Sequence, residues 1–171
     1  AILGAGVWGV SFAFMAARSG DPVLLWSSDA TKRARLRDQG NTEATAEVQL
    51  FDNVLIPEQL SEALAADLIV VAMQPDSVRS TLAGLAGHFR PGQMVVHLAK
   101  GFEPSGTPLS RVIQEETCVL MTGAVAGPIV PAELWAGKDA AIIVGSAYQR
   151  VVDELTDLIA SPRCRVYGNL D

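Results

Sequence analysis

Ile2-Leu3-Gly4-Ala5-Gly6-Val7-Trp8-Gly9 opens the chain with an apolar pair and three glycines at G-x-G-x-x-G spacing, and the run Val10 to Ser19 that follows reads as helical. Each glycine answers a separate steric demand. Gly4 lets the chain turn sharply out of a strand, Gly6 lets backbone approach a pyrophosphate, and Gly9 lets helix pack on strand. N–H groups at the helix start then face the anion and favour it by roughly 0.3–1 kcal/mol when exposed. A lone G-x-G-x-x-G is a weak signal. Here it lies between Ile2-Leu3 and Phe12-Ala13-Phe14-Met15-Ala16-Ala17, and after the break Gly20-Asp21-Pro22 a second strand-like run, Val23-Leu24-Leu25-Trp26, follows. This is the context of a dinucleotide-binding turn.

The same alternation continues along the chain. Strands are expected near Ala1 to Leu3, Pro22 to Trp26, Ala66 to Met73, Gln93 to Ala99, Cys118 to Thr122, Ala140 to Val144 and Arg165 to Tyr167. Helices are expected over Trp8 to Ser19, Ala30 to Gln39, Ser61 to Ala65, Ser77 to Leu85, Leu109 to Glu116 and Tyr148 to Ile159. Such β-α-β repetition implies an α/β, Rossmann-like, doubly wound and mainly parallel sheet with helices on both faces. The segment Gly40 to Gln59 has weak periodicity and no clear assignment. No repeat or interior linker is visible, so residues 1–171 are expected to form one domain, large enough to bury about 70% of the unfolded surface.

Composition agrees. Of 171 residues 49% are hydrophobic but only 6% aromatic, the Ala/Val/Leu/Ile-rich balance of a sheet buried on both faces. The net charge of −6 argues against a nucleic-acid surface, the cluster Lys32, Arg33, Arg35, Arg37 being too short a basic stripe. The longest uncharged stretch, Thr117 to Ala132, is interrupted by Gly123, Gly127, Pro128 and Pro131 and is too short to span a bilayer. Cys118 and Cys164 show neither metal-ligand nor C-x-x-C spacing. They read as buried thiols in a reducing, cytoplasmic setting, and no metal is expected.

Ligands of such sheets gather at the carboxyl ends of the strands, which directs attention to Gly4–Gly9, Ser27–Asp29, Gln74–Asp76 and Ala99–Gly101. Asp29 is placed either to accept a ribose hydroxyl or to cap the next helix. Ser27 and Ser28, with Lys32 and Arg33 behind them, could instead accept a 2′-phosphate, and the residues leave NAD against NADP open. Lys100 ends an apolar strand and precedes Gly101, so its ammonium should stand at the ligand edge, where it can hold an anion or polarise a carbonyl oxygen. His97 reads as a packing residue and His88 as a loop residue.

Five stretches in order resemble NAD(P)-dependent glycerol-3-phosphate dehydrogenases: Gly4-Ala5-Gly6-Val7-Trp8-Gly9, Ala66-Asp67-Leu68-Ile69-Val70-Val71-Ala72, Ala99-Lys100-Gly101-Phe102-Glu103, Gly127-Pro128 with Glu133 and Gly137, and Arg165-Val166-Tyr167-Gly168-Asn169. The resemblance implies NAD or NADP as cofactor, contacted by Gly4, Ala5, Gly6, Val7, Trp8, Gly9, Ser27, Ser28, Lys100 and Pro131. It implies a phosphorylated small-molecule substrate beside Lys100, Gly127 and Ile129, with Lys100 the catalytic residue. The reaction implied is hydride exchange between nicotinamide and dihydroxyacetone phosphate or glycerol 3-phosphate, a supply of glycerophospholipid precursor. The family's helical C-terminal domain, with a proton-transferring lysine and the surface for a homodimer, is expected to lie outside this chain, whose abrupt start also fits an excised piece.

Three departures from the family pattern stand out. Ile129 occupies the place of a hydroxyl residue, Val130-Pro131 replace Phe-Ala, and Ser28 stands where many members carry arginine. Two other readings stay open: a related two-domain hydroxy-acid or keto-acid dehydrogenase, and a nucleotide-sensing module without turnover.

Overall fold

Ile2 and Leu3 are adjacent and each about 1% exposed, yet they belong to different hydrophobic cores, because successive side chains of a strand point to opposite faces of its sheet. A computed structural model describes residues 1–170; Asp171, the end of the expected domain, lies outside the described residues. The strands are β1 (Ile2–Leu3), β2 (Val23–Trp26), β3 (Val54–Leu55), β4 (Leu68–Val71), β5 (Met94–His97), β6 (Met121–Ala126), β7 (Ala140–Gly145) and β8 (Cys164–Asn169). They form one sheet in the order β3-β2-β1-β4-β5-β6-β7-β8. All neighbours run parallel except β6 and β7. The order reverses direction at β1 and β4, the switch point where doubly wound sheets take their ligands.

Helices α1 (Val7–Ala16), α2 (Ala30–Gln39), α3 (Leu60–Leu64), α4 (Pro75–Leu85), α5 (Leu109–Glu116), α6 (Pro131–Trp135) and α7 (Gln149–Ile159) cover the sheet. On one face, Phe12 and Ala13 of α1 and Val151 and Leu155 of α7 share a core with Ile2, Leu25, Val70, Val96 and Ile142. On the other, Val78 and Leu82 of α4 and Leu109, Val112 and Ile113 of α5 pack with Leu3, Ile69, Val71 and Val95. The helical spacings i, i+3 and i+4 supply these stripes. Local chemistry sets their ends: Pro75 occupies the first turn of α4, where its missing N–H costs nothing, and Gly40 closes α2 at φ +65°, a conformation glycine tolerates best.

The expected strand from Cys118 to Thr122 instead begins at Met121 and continues to Ala126. Gly123 therefore lies inside a strand rather than breaking one, because a Cβ there would come within 2.9 Å of the Gly145 carbonyl oxygen on β7. Cys118 is consequently not a buried strand thiol. It is exposed in the turn after α5, whereas Cys164 is buried as expected. Within Gly40 to Gln59 the two-residue β3 pairs with β2, and between β6 and β7 the chain reverses through the five-residue α6, making an antiparallel pair where a crossover would have kept them parallel.

The turn after β1 is the tightest place in the sheet. Gly4 has φ +115°, and a Cβ on it would press into the Ala72 carbonyl; a Cβ on Gly9 would overlap the Gly4 carbonyl oxygen. Helix and turn thus meet backbone to backbone. Gly9→Ala is expected to cost about 1–3 kcal/mol, read as a lower urea midpoint at unchanged m-value; a midpoint equal to the parent's would contradict this contact.

Candidate functional site

The strand register aligns the residues from which the loops depart. Leu3 lies between Trp26 and Val71, Val71 pairs with His97, and His97 with Ala124. The chain therefore leaves β1, β2, β4, β5 and β6 along one edge. Because β7 is antiparallel to β6, with Ala126 opposite Ile143, the loop and short helix between them also belong to this edge.

Gly6 caps the start of α1 with extended backbone, and Val10 N–H makes the first intrahelical bond, to the Gly6 carbonyl at 3.0 Å. The N–H groups of Val7, Trp8 and Gly9 consequently have no helical acceptor. No acidic side chain occupies the first turn to neutralise them. A Cβ built on Gly6 meets nothing within 4 Å, unlike those on Gly4 and Gly9. So Gly6 keeps a surface bare while its two companions allow packing, and a bare surface beside unpaired N–H groups suits a phosphate. Ala5 is buried beneath the turn.

A cleft of about 330 Å³ opens against this turn, lined by Gly6, Val7, Trp8, Ala72 to Pro75 and Leu98 to Lys100. A smaller apolar hollow of about 20 Å³ adjoins it, lined by Trp8, Phe12, Met15, Leu98, Lys100, Val125 to Gly127 and Ile129. Trp8, Leu98 and Lys100 belong to both. The Lys100 ammonium stands 5.4 Å from the centre of the Trp8 ring, a cation–π contact of about 0.5–1 kcal/mol at an exposed position. It is thereby held at the junction of cleft and hollow. Gly127 closes against β7, its hypothetical Cβ 2.5 Å from the Ala141 carbonyl oxygen. Ile129 packs onto the α1 core, and Pro131 starts α6, which packs on α1.

At the end of β2 the Asp29 carboxylate accepts from the N–H groups of Thr31 at 2.9 Å and Lys32 at 3.1 Å. The cap, one of its two expected roles, is formed through a single carboxylate oxygen. Ser27 is 7% exposed and its hydroxyl accepts from Asp29 N–H at 3.2 Å, leaving Ser28 as the exposed hydroxyl of the loop. Arg33 donates to the Ser27 carbonyl at 2.7 Å and to Glu58 at 3.2 Å, and lies over the Trp26 ring. Arg37 and Arg33 together hold Glu58 below the usual carboxylate range. Glu58 and Trp26 carried no signal in the sequence, since their partnership with Arg33 forms only when α2 folds beside β2. Among the described residues no three His, Cys, Asp or Glu side chains gather as a metal site, and no helix is long and apolar enough to cross a membrane.

His97 is a packing residue, 8% exposed, with Nδ1 3.2 Å from the Ala99 carbonyl. Burial pushes its imidazole below the ordinary value of 6.5, against a smaller upward effect of that hydrogen bond. Between the lowered folded value and 6.5 the unfolded chain binds more protons, so stability rises with pH there. The contribution is whole above the unfolded value and is lost as pH falls through the folded one. Urea titrations over this range should show a smaller slope of stability against pH for His97→Gln than for the parent; equal slopes would show that His97 is not responsible.

Comparison with known proteins follows from this geometry. A family model described as the NAD-dependent glycerol-3-phosphate dehydrogenase N-terminus matches residues 1–152. A glycerol-3-phosphate dehydrogenase (NAD(P)+) of Sphingopyxis alaskensis is 33% identical, the match covering 99% of this chain and 52% of that protein. One from Bradyrhizobium diazoefficiens is 28% identical over 100% of this chain and 53% of its own length. The fold superposes on the crystal structure of a glycerol-3-phosphate dehydrogenase from Coxiella burnetii with a TM-score of 0.93 at 22% identity, over 99% of this chain and 53% of that one. The chain spans about half the length of the curated relatives it matches.

Proposed function

The chain belongs to the NAD-dependent glycerol-3-phosphate dehydrogenase N-terminal family, and on that premise we propose that it is the dinucleotide-binding half of an enzyme interconverting dihydroxyacetone phosphate and glycerol 3-phosphate. The observation that carries this reading is the bare face at Gly6 above the unpaired N–H groups of α1. An anion could approach this backbone face, since even a Cβ on Gly6 would meet nothing within 4 Å. NAD or NADP, when bound, supplies or accepts the hydride.

The residues of this chain have positioning and electrostatic work to do. The N–H groups of Val7, Trp8 and Gly9 hold the diphosphate, and the Trp8 ring walls the cleft beyond it. Ser28 is the exposed hydroxyl at the adenosine end, with Asp29 engaged in its cap. Lys100, at the junction of cleft and hollow, holds the substrate's carbonyl oxygen and stabilises the negative charge that grows on it during reduction. Phe12, Leu98, Val125 and Ile129 make the adjoining hollow apolar, and an apolar wall strengthens the cation's effect. Gly127 and Ile129 stand on the substrate side in this reading. A second, helical domain delivering the proton and gripping the substrate phosphate belongs to the same proposal.

Two measurements test it. Gly6→Val is expected to abolish binding of NADH and NADPH, followed by fluorescence titration, while the unfolding free energy falls by no more than about 2 kcal/mol, the cost of a β-branched residue at a helix N-cap. Intact binding in the variant would remove the turn from the site. In a protein of the relatives' full length, Lys100→Ala should lower kcat with dihydroxyacetone phosphate by about a hundred- to a thousand-fold at little change in cofactor affinity. Unaltered turnover would exclude Lys100 from the reaction.

A further inference from the structure

Lys100 stands at the root of a loop, Gly101 to Thr107, that belongs to no strand or helix. The loop's backbone hydrogen bonds are internal: Glu103 N–H donates to the Thr107 carbonyl at 3.0 Å, and Gly106 N–H to the Glu103 carbonyl at 2.8 Å. A bridge between Phe102 and Pro108 closes its base. Among the described residues, one side chain of this loop hydrogen-bonds to the body of the protein. The Glu103 carboxylate, only 11% exposed, accepts from Nε and, at 3.0 Å, from a terminal nitrogen of Arg79 on α4. Ser105 Oγ donates to it as well, at 2.7 Å.

Arg79 is itself anchored from the far side. It donates to Glu115 at 2.9 Å and to Glu116, both on α5. One guanidinium is thus shared among three carboxylates, and it holds Glu103 and Glu115 below the usual carboxylate range. A planar fork that pairs with a carboxylate through two N–H groups fixes direction as well as distance. Three residues before Glu103, the Lys100 ammonium rests over Trp8.

We propose that Arg79 is a positioning residue: through its forked grip on Glu103 it sets where the Lys100 ammonium stands over Trp8 at the mouth of the dinucleotide cleft. The importance of that place rests on the reading of Lys100 given above, whereas the mooring itself involves no ligand. Glu103→Gln removes the charge and one of the two acceptor oxygens, breaking the forked pair, and leaves Arg79 its two partners on α5, so the variant retains the α4–α5 contact.

The test uses the 171-residue chain labelled with ¹⁵N, with the Trp8 indole N–H resonance, assigned through Trp8→Phe, as reporter. Lys100→Met defines the shift caused by losing the cation from the ring. Glu103→Gln is expected to move the Trp8 signal in the same direction by more than about half of that shift, with the Trp26 and Trp135 indole signals and the melting temperature unchanged. Arg79→Lys, a point charge without the fork, should give a smaller displacement in the same direction. A Trp8 signal that stays at the parent position in both Glu103→Gln and Arg79→Lys overturns the proposal, and so does one that ignores Lys100→Met. NADH and NADPH titrations of the parent are read separately. A chain that binds neither removes the proposed function and leaves the mooring result standing.

Discussion

Two backbone segments in this protein meet with no side chain between them: the turn at Gly4 and the first turn of α1 at Gly9, both pressed against the carbonyl end of β4 at Ala72. That contact brings the start of α1 to the ligand edge. A single methyl group at Gly9 would force the helix off the Gly4 carbonyl, and the unpaired N–H groups of Val7, Trp8 and Gly9 would no longer face the cleft. The core on the α1 face then holds the arrangement, because Phe12 and Val10 are buried on the same helix whose N-terminus makes the site.

Charge is distributed with similar economy. A chain of net charge −6 exposes few cations at its ligand edge, and the neighbouring arginines are occupied. Arg33 and Arg37 are paired with Glu58, and Arg79 with Glu103, Glu115 and Glu116. Among the described residues Lys100 pairs with no carboxylate and has an aromatic face beside it. An ammonium resting on a ring keeps its charge available to an incoming oxygen, whereas one bridged to a carboxylate would have to break that pair first.

Much of the architecture was legible from local pattern. Helix α5 occupies Leu109–Glu116 and α2 Ala30–Gln39 as expected, since an apolar stripe at helical spacing, an Asp cap and a terminal glycine act within a few residues of one another. Three elements were illegible, among them the five-residue α6, which no expected helix covered. β3 is only two residues long and gains its hydrogen bonds from β2, so no periodicity announces it. In β6, Gly123 carries the usual mark of a break, yet its function is close approach to Gly145 on β7. Cys118 was misplaced with the same strand, and is exposed in the preceding turn.

By itself the amino-acid order determined the glycine turn, the alternation of strand and helix and the lysine at the end of β5, because each depends on geometry spanning only a few consecutive residues. Folding in three dimensions decided which surfaces those pieces present to one another. It turned β7 back along β6, capped α2 with Asp29, set Lys100 over Trp8 and brought Arg79 to carboxylates 24 to 37 residues away. Partners that distant are chosen by how the helices pack on the sheet, and packing is a property of the whole core.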